Sequence, residues 1–244
     1  KTKATFSSAW EDYLDELRTG ISAKTKRPYS ARYIADHVNL SSRGGESKKR
    51  GRGPTSPGPL ASLLDRPLSE LTPENIAAWL STERQNRPTV TAHAYRLLRA
   101  FIKWANYQKK YQGIIHGDIA QDHNVRKVVP VSASKAGDCL QKEQLKSWFS
   151  AVRSLNNPIA SAYLQVLLLT GARREEIASL RWSDVDFKWS SMRIKDKIEG
   201  ERIIPLTPYV THLLSALVQT PNFDVNNEDW VFRSNSKSGK IIEP

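Results

Sequence analysis

Apolar positions fall at helical spacing through the first part of the chain. From Phe6, Trp10, Leu14, Leu17 and Ile21 recur every three to four residues, and Tyr29, Tyr33, Ile34 and Val38 repeat the pattern, so residues 1 to 40 read as a helical pair. A third helix is expected at "LTPENIAAWL". There Thr72 is placed to cap, Pro73 takes the first helical position, and Ile76, Trp79 and Leu80 form the buried stripe. A fourth runs from Thr91 to about Lys110. It sets Ala94, Leu97, Leu98, Phe101, Trp104 and Ala105 on one face and His93, Arg96, Arg99 and Lys103 outward. Between the second and third helices, "SSRGGESKKRGRGPTSPGPL" is rich in Gly, Pro and basic residues and has too little apolar content to pack. It reads as an inserted basic loop near residues 41–59, with the composition of a mobile segment and a candidate contact to DNA.

The pattern then changes. Residues from about Gln112 to Ala136 lose periodicity and look like a connection. A second block starts near Leu140 with the helix "LQKEQLKSWFSAV", followed by the nearly all-apolar "PIASAYLQVLLLTG", which is expected to be a buried helix. "SMRIKDKIEGERIIPL" alternates as two strands around an Ile-Glu-Gly turn, "TPYVTHLLSALV" is a capped amphipathic helix, and "DWVFRS" reads as a short strand. The expected organisation is an all-helical domain over 1–125, a linker over 126–139 and a mixed α+β domain over 140–244.

Composition narrows the function. The 244 residues carry 37 Lys and Arg against 25 Asp and Glu, a formal net charge of +12, which suits a polyanionic partner such as nucleic acid. Surface charge for solubility is the plain alternative. Cys139 is the single cysteine, which excludes an internal disulfide and any zinc site built on Cys pairs and fits a reducing cytoplasm. No apolar run approaches the roughly 20 residues of a membrane span. The chain opens on Lys1 rather than Met, so a piece of a longer protein is expected.

The most unusual stretch is "TGARREEIASLRWSDVD", residues 170 to 186, where two arginines and two glutamates directly follow a Thr-Gly break. The break puts Arg173 near a helix N-terminus, where backbone N–H groups and the helix dipole favour anions. A guanidinium there can hold two phosphate oxygens in a planar fork, and Glu176, three residues on, shares its helical face and can orient it. A solvated face with routine ion pairs would give the same spacing.

This box, followed by "KDKIEGERIIPL", resembles the first catalytic box and the lysine hairpin of the tyrosine recombinases, also called phage integrases; "ELTPENIAAWL" and "TAHAYRLLRAFIKWA" resemble that family's helical core-binding domain. The resemblance implies a mainly α fold with a small β component: a core-binding domain, then a truncated α+β catalytic domain. It implies site-specific recombination or integration by a phage or mobile element, through a 3′-phosphotyrosine intermediate. It places the catalytic arginine on Arg173, its acidic partner on Glu176 and the catalytic lysine on Lys197, with Lys195 the rival by proximity. Arg174 and Glu175 fall on variable positions. No metal and no other cofactor is expected. Double-stranded DNA and a tetramer formed on it are the implied partners, and Lys24, Lys26, Arg27, Arg96, Arg99 and Lys103 are the candidate DNA contacts.

The sequence also departs from the family pattern. An H-x-x-R box should follow the "WVF" segment, and a nucleophilic Tyr should come later; neither lies within residues 1–244. "HAYR" at His93 and "HNVR" at His123 match the box as strings but precede Arg173, and Tyr209 sits where the family has no nucleophile. The chain alone is therefore expected to be inactive. Two other readings stand beside this one. In the first, "REEIASLRWSDVDF" is a helix-turn-helix with the hairpin as a wing, against which Asp184 and Asp186 make a poor surface for the phosphate-lined major groove. The second, a metal-dependent nuclease, would need clustered carboxylates.

Overall fold

Hydroxyl caps set the starts of the first three helices. Thr5, Ser30 and Thr72 accept the backbone N–H groups of Ser8, Tyr33 and Asn75, at the heads of α1 (Phe6–Thr19), α2 (Ala31–Ser41) and α3 (Pro73–Asn86). Each such cap contributes about 1 kcal/mol. The computed structural model describes residues 4–48, 51–115, 119, 122–131, 137, 139–196, 200–219, 229–234 and 239–241. The chain divides into two units, Lys1–Ser134 and Lys135–Pro244.

The first unit adds α4 (Pro88–Tyr107) and α5 (His123–Val128) to these helices. Its core is aromatic. The Phe101 ring lies 5.1 Å from Phe6, 5.2 Å from Trp10 and 5.7 Å from Tyr13, centroid to centroid. Leu60, Leu63 and Leu68, on two short 3₁₀ turns, are buried in the same core. Two acids of α1 fasten the rim: Glu16 accepts from the Trp104 indole at 2.7 Å and from Gln108, and Asp12 accepts from Lys110 and Tyr111. Those two bonds hold the Asp12 carboxyl below its usual range.

Several expectations need correcting. Gly20 ends α1, so Ile21 leaves the apolar stripe, pairs with Pro28 and is 64% exposed. Val38, expected on the packed side of α2, is exposed. Ile115, Ile119 and Val125, from the stretch that lacks periodicity, belong to the core, with α5 packed on α3. The basic stretch after α2 has the composition of a mobile loop, yet it is paired. Gly45 donates to Thr55, Thr55 to Glu46 and Lys48 to Gly53, with a bridge between Ser47 and Pro54. Its base is closed by the Gly58 N–H on the Ser42 carbonyl, by two bonds from Arg43 to Asp65, and by an approach so close that a Cβ on Gly58 would sit 2.3 Å from the Leu40 carbonyl oxygen.

The second unit combines α6 (Leu145–Arg153), α7 (Pro158–Thr170), the short α8 (Arg174–Ala178) and α9 (Pro208–Val218) with an antiparallel sheet. The sheet runs in the order β1 (Val185–Asp186), β2 (Ser191–Asp196), β3 (Gly200–Pro205). Alternation along β2 buries Met192 and Ile194, which join Tyr163, Val166, Ile177, Trp182, Leu214 and Phe232 in the core. The α7 helix is less buried than its composition suggests, since Leu168 and Leu169 at its end are 37% and 42% exposed. "DWVFRS" is not a ladder strand: it is held by isolated bridges, Trp230 to Arg181 and Arg233 to Lys240.

Candidate active site

The site begins where α7 ends. Gly171 takes a left-handed conformation (φ 60°) after Thr170, the usual device for stopping a helix, and the chain re-enters α8 within three residues. Arg173 is the N-cap of α8 and Glu176 its third helical residue. Glu176 reaches back to accept the Arg173 backbone N–H at 2.8 Å, half of a capping box, and its other oxygen accepts from the Arg173 guanidinium at 2.8 Å. Arg202, on β3, donates to the same carboxylate at 2.6 Å. The Glu176 side chain is 6% exposed, while those of Arg173 and Arg202 are 68% and 44% exposed. A carboxylate that deep needs charge-assisted bonds to offset its lost hydration, and it has them from two cations. Two guanidiniums thus meet on one acid.

The next acid of the box is built the same way. Asp184, 8% exposed, accepts the Arg181 N–H at 3.1 Å and lies 3.6 Å from the Lys195 ammonium. Lys195, the rival for the catalytic lysine, is thus directed to Asp184; Lys197 lies outside the described residues. Arg174 pairs with Glu175, and Glu175 with Lys240, whose bond holds that carboxyl below its usual range. Tyr209 opens α9 with its hydroxyl donating to Gln165 at 2.6 Å and accepting from Arg153 at 2.9 Å, a packing arrangement that occupies the group.

The other candidates lie in the first unit. Lys24, Lys26 and Arg27 are exposed on the tight loop between α1 and α2, where Ser22 donates to Arg27 and Lys26 to Ser22. Arg96, Arg99 and Lys103 are exposed along α4, opposite its buried stripe. His93 of "HAYR" sits 4.0 Å from Asp36, and His123 of "HNVR" heads α5. The residue that the sequence reading passed over is Arg202. Counting alternation across the turn would have found it, because Arg202 faces Ile194 and so points to the inner side of the sheet.

The phage integrase core-binding domain model matches residues 5–127, and the phage integrase family model matches residues 138–241. This chain belongs to the phage integrase family. The prophage integrase IntF of Escherichia coli (strain K12) is 89% identical over 244 residues, which cover 100% of this chain and 52% of that protein. The family chain described here therefore spans about half the length of that relative. Among solved structures, a lambda integrase dimer bound to a COC′ core site matches with a TM-score of 0.64 at 16% identity, covering 95% of this chain and 71% of that one. A Tn1549 transposon integrase in complex with circular intermediate DNA gives 0.62 at 14% identity, covering 97% and 73%. At such identities the likeness speaks for the fold, mainly helical with one small sheet. Among the described residues no helix is long and apolar enough to cross a membrane.

Proposed function

We propose that this chain is part of a site-specific DNA recombinase of a prophage or other mobile element, acting on double-stranded DNA in the cytoplasm and assembling there as a tetramer. The observation that carries the reading is the buried Glu176 carboxylate holding Arg173 by both its backbone and its guanidinium at the head of α8. Such a clamp fixes a cation whose exposed side is suited to a phosphodiester. Arg173 would neutralise the scissile phosphate and the added charge of its pentacoordinate transition state. Lys197 would protonate the departing 5′-oxygen. The nucleophilic Tyr and the H-x-x-R box are supplied from outside residues 1–244, so the isolated chain binds DNA but forms no covalent adduct. The 89% identical relative is a prophage integrase, which supports the assignment. The exposed cations of the α1–α2 loop and of α4 would lie along the DNA backbone, giving affinity that falls steeply with salt. A helix-turn-helix reading is disfavoured, because α8 has 5 residues and is followed by a 3₁₀ turn at Trp182–Asp184, which leaves no recognition helix.

The test uses the full-length recombinase and a suicide duplex carrying the end sequence of its own element. Lys197→Ala is expected to lose about 10²–10⁴-fold in cleavage and to recover with a 5′-bridging phosphorothioate, whose sulfur leaves without a proton. Arg173→Ala is expected to stay impaired on both substrates. Rescue of Lys195→Ala instead would move the general acid to that residue, and equal rescue of Arg173→Ala would remove its transition-state role.

A further inference from the structure

The register of the hairpin places an arginine where a strand packed on a core should carry an apolar residue. Met192 pairs with Ile204 and Ile194 with Arg202, while Arg193 faces Ile203 and Lys195 faces Glu201. Met192 and Ile194 are each 1% exposed, so Arg202 lies on the inward side of β3, and Glu201 and the 71% exposed Ile203 lie on the outward side. The Arg202 side chain stays 44% exposed on that side, yet its guanidinium is directed to a specific partner. That partner is Glu176, at 2.6 Å, through the same carboxylate oxygen that accepts the Arg173 N–H.

One oxygen therefore fastens two chain segments that lie 26 residues apart. The first is the N-cap of α8, which carries Arg173. The second is β3, the return strand of the hairpin, paired with β2 from the Ser191–Pro205 pair to the Asp196–Gly200 pair. We propose that Arg202 is a positioning residue: by bonding Glu176 it registers the lysine hairpin against the arginine turn, so that the general acid and the phosphate-binding cation act on one phosphodiester. The proposal rests on the roles given above to Arg173 and Lys197. A guanidinium suits the task better than an ammonium, because its planar fork fixes direction as well as charge.

The position of a proton donor matters only when the leaving group needs a proton, so the sulfur substrate separates a positioning role from a merely structural one. In the full-length recombinase, Arg202→Gln is expected to cut the oxygen substrate about 10²-fold more slowly, the size of loss that a displacement near 1 Å causes. The 5′-bridging phosphorothioate should restore it to within about tenfold of the unmodified protein. Arg202→Lys, which keeps the charge and loses the fork, should fall between the two and show the same rescue. This second variant decides the matter if Arg202→Gln does not fold. Wild-type rates for Arg202→Gln, or equal impairment on oxygen and sulfur, would overturn the proposal. Absence of sulfur rescue in Lys197→Ala would instead bring down the general-acid assignment beneath it, so the two failures are told apart.

Discussion

The two units bury polarity in opposite ways. In the first, the polar residues taken into the interior among the described residues are His37, Ser41 and Thr91, and both hydroxyls donate at 2.9 Å to a carbonyl one helical turn back. In the second they are Gln165, Glu176 and Asp184, and the two acids each hold a backbone N–H together with cationic side chains from other segments. The first unit keeps its carboxylates at the rim, where Asp12 and Glu16 tie α1 to the end of α4 and the turn beyond it. Interior neutrality gives a stable scaffold, whereas interior carboxylates cost stability and return fixed cation positions. The contrast fits the proposal that the second unit carries the catalytic arginine.

The strongest way to break the comparison is to empty the aromatic core. Phe101→Ala removes a fully buried ring that contacts the aromatic rings of Phe6, Trp10, Tyr13 and Trp104 and should destabilise the first unit by about 3–5 kcal/mol. Separate unfolding transitions, followed by calorimetry, should show the first unit shifted and the second unmoved; equal shifts would mean that the units do not unfold independently.

Next in size, Glu176→Gln keeps the shape of the site and removes its charge. The loss in stability should be about 1–3 kcal/mol, limited because both arginines are partly exposed, and the hairpin amides of β3 should exchange faster with solvent. Unchanged exchange in β3 would show that the carboxylate does not hold the hairpin.

A smaller effect tests the neutrality of the first interior. Burial lowers the His37 pKa, partly opposed by its ring contact with the Tyr33 carbonyl and by the charge of Asp36, while His93 adds to the lowering. The folded state thus resists protonation more than the unfolded state, so this contribution to stability is complete above about pH 6.5 and is lost as pH falls from there through the depressed folded value. In denaturant titrations His37→Phe should flatten that slope; a slope that persists belongs to other groups.

The smallest expected change in stability comes with a change in binding. Arg99→Ala, on the exposed side of α4, should leave the unfolding midpoint within about 0.5 kcal/mol and lower the salt slope of DNA binding by about 0.9. An unaltered slope would remove α4 from the DNA surface.

Much of this architecture is legible in the residues, and the exceptions share a cause. The caps at Thr72 and Thr207, the α4 stripe and the hairpin follow from local pattern, because each is decided by residues a few positions apart. The Arg173–Glu176 pair is also local, three residues on one turn. What local pattern misses is whatever a distant segment decides. Ile115, Ile119 and Val125 are too widely spaced to show a period, yet they join the buried core of the first unit. Leu168 and Leu169 belong to a run that looks uniformly buried, although nothing in a single helix says which side stays open. "DWVFRS" has the composition of a strand, but single bridges to Arg181 and Lys240 take the place of a ladder. Arg202 reads as hairpin surface until its cross-strand partner Ile194 is known to face inward.

The closure at Gly58 bears on how such a chain diversifies. Because the basic excursion leaves beside Ser42 and returns to the same carbonyls, its two ends are stitched together before the tip begins. Residues added or removed beyond the Gly45–Thr55 pair need not move α2 or the turn that starts at Pro59. Drift in the length and charge of this branch is thereby uncoupled from selection on the helical scaffold, and the same property makes its tip a natural place to graft a peptide tag or a fluorophore.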